Sequence, residues 1–67
     1  MKKQLLNQLH RVLDVEGNPK ACGREECRKA IRLAGELFPG KDYGDEETGY
    51  MNVSNLFELM KVLDNEK

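Results

Sequence analysis

Tyr43-Gly44-Asp45-Glu46-Glu47-Thr48-Gly49-Tyr50 reads almost alike in both directions: aromatic, glycine, acidic centre, glycine, aromatic. Whether this block pairs with itself or wanders separates a mainly α chain from an α+β one, because the sequence on either side of it is helical. The block belongs to a connection over about 39–52. In a chain of 67 residues, a connection that long is either functional or holds structure of its own. The first expectation is an irregular loop whose tyrosines pack down on the core. The alternative is a short β-hairpin, in which Lys41-Asp42-Tyr43 and Tyr50-Met51-Asn52 form a ribbon with the tyrosines opposite each other. Gly49 would supply the positive-φ residue of its turn, and the ribbon would have to lie on the helices, since an isolated hairpin is marginal in water. Both versions leave Asp45, Glu46 and Glu47 at an exposed tip.

On the C-terminal side, Val53, Leu56, Phe57, Met60 and Leu63 recur at helical spacing and predict a helix over about 53–64. Asn52 is its N-cap, with Met51 and Leu56 in the positions of a hydrophobic staple. Leu59 and Val62 widen the apolar arc. Deeper burial is the first explanation of that width, and a surface for self-association is the second.

On the N-terminal side, Cys27, Ala30, Ile31, Ala34, Leu37 and Phe38 form one stripe and predict a helix over about 24–38. Gly23 is the better N-cap, with Glu25 and Glu26 at the positive end of the dipole. A start at Asn18-Pro19 would place Gly23 inside the helix. Phe38-Pro39-Gly40 ends it, because a residue before proline is pushed out of the α region. Further back, Leu5, Leu6, Leu9, Val12 and Leu13 predict a helix over about 3–15, stopped by Glu16-Gly17-Asn18-Pro19. The expected fold is mainly α: a single small three-helix domain, residues 1–67, with a long acidic connection.

Composition narrows the function classes. Four aromatics and no Trp make for a thin core, which favours sharing it in a homodimer. Residues 1–15 carry a charge of +2, the middle about +1, and residues 39–67 −4, so the net −1 hides a weak dipole. Met1-Lys2-Lys3 resembles a charged leader, but Gln4, Asn7, Gln8, His10 and Arg11 break the apolar run that a leader needs. No stretch reaches membrane-spanning length, so no membrane partner is expected. Two cysteines are too few for a disulfide scaffold, and the expected compartment is the cytoplasm, with both thiols reduced. The chain reads as a complete small gene product.

Each chemical constellation has a plainer explanation beside it. Asp42, Asp45, Glu46 and Glu47 do not follow calcium-loop spacing, so no metal or cofactor is expected there. Cys22 and Cys27 could bind zinc only with help from His10 and a carboxylate. As the residue before the cap and the fourth residue of the helix, they read as a staple pair, close enough to permit a disulfide under oxidation. Arg24, Arg28, Lys29 and Arg32 line one edge of the second helix. They suggest either phosphate contacts or a solvated face paired to Glu25 and Glu36 at i, i+4 spacing. One histidine, His10, and one serine, Ser54, give no acid–base or nucleophile pair, so no enzyme is expected.

The sequence therefore points to a small interaction module, a regulatory or accessory protein of a bacterium or its virus. Its expected contact surface is Tyr43, Asp45, Glu46, Glu47 and Tyr50, meeting a protein with a basic surface. The rivals are a nucleic-acid binder using Arg24, Arg28, Lys29 and Arg32, and a structural homo-oligomer formed through Leu59 and Val62.

Overall fold

The computed structural model describes residues 2–66. Met1 of the leader-like start and Lys67 of the acidic end lie outside them. The chain runs α1 (Lys2–Val12), α2 (Arg24–Leu37), β1 (Gly44–Asp45), β2 (Tyr50–Met51), α3 (Val53–Asn65). The fold is mainly α, and the hairpin, the less favoured expectation, is present as one antiparallel pair.

Helix α1 buries Leu5, Leu9 and Val12 and stops three residues before the expected end at 15. Local hydrogen bonds outcompete the helix there. The Asp14 carboxylate accepts the amides of Glu16 and Asn18, both at 2.9 Å, and the Gly17 amide donates to the Asp14 carbonyl. Val15, past the end of the helix, is 83 % exposed. Leu13 leaves the helix to bridge Pro19, and its side chain stays in the core. Lys20 then caps the open end of α1. Its amide donates to the Val12 carbonyl at 2.8 Å and its ammonium to the His10 carbonyl at 2.6 Å.

Helix α2 begins at Gly23 as expected, with the Glu26 and Cys27 amides donating to the Gly23 carbonyl. Its buried residues Ala30, Ile31 and Ala34 are mostly small, which lets α1 pack close. Gln8, which lies outside the apolar stripe of α1, is also buried. Its amide donates to the Glu26 carbonyl at 2.9 Å and to the Glu26 carboxylate at 2.7 Å, so its burial leaves no orphaned group. Helix α3 opens on the Asn52 cap, whose side chain accepts the Asn55 amide at 3.3 Å. The width of its apolar arc is mainly burial: Leu59 joins Leu56, Met60 and Leu63 in the core, whereas Val62 is 52 % exposed.

Helix α1 is the hub. It packs against both other helices, while α2 and α3 scarcely touch and the hairpin leans on α2. The radius of gyration is 10.4 Å, close to the ~11 Å of a compact chain this long. Tyr43 joins the core cluster, with Met51, Leu37 and Phe38 packed around that cluster. Among the described residues, no helix is long and apolar enough to cross a membrane.

Candidate functional site

The hairpin is built from short polar side chains that hold their own backbone. Asp42 Oδ1 accepts the Gly44 amide at 3.0 Å, and Asp45 Oδ1 accepts the Glu47 amide at 2.9 Å. The Gly49 amide closes the turn onto the Asp45 carbonyl at 2.8 Å, and Thr48 Oγ1 accepts the Tyr50 amide at 3.3 Å. Two long-range contacts dock the ribbon. Asn55 Nδ2 donates to the Asp42 carbonyl at 2.7 Å, and Arg28 Nε donates to the Glu46 carbonyl at 2.9 Å. The aliphatic stem of Arg24 lies against Gly49, close enough that a Cβ there would overlap it.

The register corrects the expected tyrosine pair. Asp45, not Tyr43, faces Tyr50, and the Tyr43 carbonyl accepts the Asn52 amide at 2.9 Å. Facing tyrosines would have left a longer loop between them, whereas the observed register lets the acidic tip close on its own hydrogen bonds. The tyrosines part company as a result. Tyr43 is 5 % exposed and Tyr50 80 % exposed. Burial pushes the Tyr43 phenol above its ordinary pKa, because desolvation disfavours the phenolate. Gly44, at φ +130°, turns the chain between the buried and exposed ends. An ideal Cβ on it would overlap the Tyr50 carbonyl oxygen. Of the five contact residues read from the sequence, Asp45, Glu46, Glu47 and Tyr50 are exposed together, and Tyr43 lies beneath them as their anchor.

The basic stripe meets this tip. Arg28 bonds Glu25 at 2.9 Å as well as the Glu46 carbonyl, so Glu25 pairs three residues on rather than with Lys29. A surface cleft of about 260 Å³ is lined by Arg28, Lys29 and Arg32 and, equally, by Glu25, Glu26 and Glu46. The arginines and the acidic tip, separate in sequence, form one charge-balanced surface. Nothing in the sequence marks that contact, because Arg28 and Glu46 are eighteen residues apart.

Cys22 and Cys27 are both free thiols, half-buried, with Sγ atoms 3.6 Å apart. Burial, then the hydrogen bond shared with Cys22, pushes the Cys27 thiol up to about 11. Cys22 lines an open cleft with Arg24, Thr48, Gly49 and Tyr50. Among the described residues, no group of three or more His, Cys, Asp or Glu side chains could hold a metal ion.

Two apolar grooves complete the surface. One, of about 490 Å³ between α2 and α3, is walled by Leu37, Phe38, Pro39, Leu59 and Val62 and floored by Tyr43. The other, also about 490 Å³, runs between α1 and α3 past Leu6 and Leu63. On its rim His10 Nε2 lies 3.3 Å from Asp64 Oδ1, an acid partner that sequence spacing did not reveal. Lys2, Lys3, Asn7 and Glu66 line the rest of the groove, and Ser54, at the start of α3, is not among its lining residues. No family model, curated protein or solved structure matches the chain.

Proposed function

We propose that the protein is a non-enzymatic interaction module that presents Asp45, Glu46, Glu47 and Tyr50 to a protein partner with a basic surface. The observation that carries this reading is a tip whose backbone is held by Asp45 Oδ1, Thr48 Oγ1 and Arg28 while Glu46, Glu47 and Tyr50 keep their side chains exposed. A surface ordered before it binds loses little entropy on capture. An exposed tyrosine beside carboxylates combines a large contact area with electrostatic steering. The same reading keeps the module in the cytoplasm, as a regulatory or accessory protein of a bacterium or its virus. Replacing Glu46→Lys, Glu47→Lys and Tyr50→Ala together should weaken partner capture more than about tenfold, the scale of losing a hot spot. Far-UV circular dichroism should not change. Undiminished capture would overturn the reading.

A second reading, self-association, is favoured by Val62 standing exposed on the wall of the α2–α3 groove. Leu59 is buried, so the contact would rest on Val62 with Leu37 and Phe38. Light scattering over a concentration series, for the native chain and Val62→Glu, separates a dimer from a monomer. Nucleic-acid binding through Arg24, Arg28, Lys29 and Arg32 ranks below both. Glu25, Glu26 and Glu46 share the cleft of Arg28, Lys29 and Arg32 and would repel phosphate.

A further inference from the structure

The two cysteines play no part in the hairpin reading, and the contact between them calls for its own explanation. We propose that Cys22 and Cys27 form a redox-active dithiol site that reacts with low-molecular-weight disulfides and closes into an intramolecular disulfide. Their sulfurs are 3.6 Å apart, already in contact, against about 2.0 Å in a bond. Closing that gap falls to the segment before α2. Cys22 lies there, outside the helix, joined to it through Gly23, around which an added Cβ would meet open space. Cys27 is fixed in the first turns of α2. A staple of two leucines would bury the same corner with more apolar area, so packing alone does not ask for sulfur at both positions.

The two thiols have different roles. Cys22 opens onto the cleft lined by Arg24, Thr48 and Tyr50, where a small disulfide can reach it and Arg24 can pair with the carboxylates of glutathione. Cys27 holds its proton up to about 11 and attacks second. In the first step the Cys22 thiolate attacks one sulfur of the small disulfide. A mixed disulfide forms, and the expelled thiolate takes up a proton. In the second step Cys27 gives its proton to solvent and its sulfur attacks Cys22 Sγ, expelling the second small thiolate, which is protonated in turn. The protein loses two protons and two electrons, and the small disulfide becomes two thiols.

Equilibrating the full chain in glutathione buffers of increasing oxidation, then alkylating with iodoacetamide and weighing it, tests this directly. Both alkylation sites should disappear together, with the chain still monomeric on a non-reducing gel. Cys27→Ser should trap one glutathione on Cys22. Cys22→Ser should react at least about tenfold more slowly, since Cys27 does not line the cleft and burial still disfavours its thiolate. The titration of the native chain needs no variant, so misfolding of a variant cannot obscure it. Two thiols that stay alkylatable at every ratio would overturn the proposal. So would glutathione on both cysteines without closure, or disulfides only between chains.

Discussion

The two connections of this chain use the same local chemistry to opposite ends. In the first, after α1, the Asp14 side chain gathers the amides of Glu16 and Asn18 around Gly17 at φ +89°. In the second, Asp42 and Asp45 gather the amides of Gly44 and Glu47 around Gly44 at φ +130°. The first turn is pressed into the protein. Its Gly17 lies flat against the Phe57 ring, with an ideal Cβ only 2.7 Å from ring carbons, and Lys61 sits 4.8 Å from the ring centroid. The second turn is held at its base by Tyr43 and Asn55 and at its tip by Arg28, and its acids project into solvent. One aspartate-and-glycine turn seats its glycine against an aromatic ring, and the other is a mounted display. The difference lies in what each turn meets, an aromatic face or open water.

If that contrast holds, the largest effect belongs to Gly17→Ala. It forces a side chain into both a positive φ and the Phe57 ring, and should cost about 4 kcal/mol in urea unfolding. That is a large part of the roughly 3–10 kcal/mol that a chain of this size holds. Gly44→Ala comes next, at about 2 kcal/mol, because the strain falls on a short ribbon that can open. Amide exchange at Met51 and Asn52 should speed up while helical content survives. A larger loss at Gly44 than at Gly17 would break the comparison.

Asp14→Ala should cost less than either glycine change, and its cost should depend on pH. The Asn18 amide above all, with that of Glu16, holds the Asp14 carboxyl below its ordinary 3.8 in the folded chain. Its contribution is therefore present above about pH 4 and is lost as pH falls through the folded value. Native and Asp14→Ala stabilities should converge in acid, and parallel curves down to low pH would remove Asp14 as the organiser of the turn. The smallest effect sharpens the contrast most. Glu46→Lys with Glu47→Lys should shift stability by no more than about 0.5 kcal/mol, since neither side chain supports the fold.

Much of the fold was legible from neighbours along the chain. Gly23 and Asn52 were readable as caps, and the stripes through Leu5, Leu9, Ile31, Leu56 and Leu63 as core, because a helix repeats its pattern every three or four residues. The end of α1 was less legible: Leu13 fits the apolar stripe, but Asp14 starts a turn that competes with it. Gln8 was illegible, since a polar residue is buried only if a partner such as Glu26 arrives from another helix. The candidate site divided in the same way. Its acids were visible as an exposed tip, whereas the exposure of Tyr50 beside them and the docking of that tip by Arg28 were not.

By itself, then, the sequence determined three amphipathic helices, their caps, and an acidic turn between the last two, all set by hydrogen bonds and periodicities within a few residues. Only the tertiary structure decided which tyrosine is buried and that the arginine stripe meets the acidic tip. It also brought His10 to Asp64, fifty-four residues away. Contacts of this kind depend on strand register and on how helices settle against one another. Side-chain periodicity fixes which face of an element is buried, but not which residue of a distant element it meets.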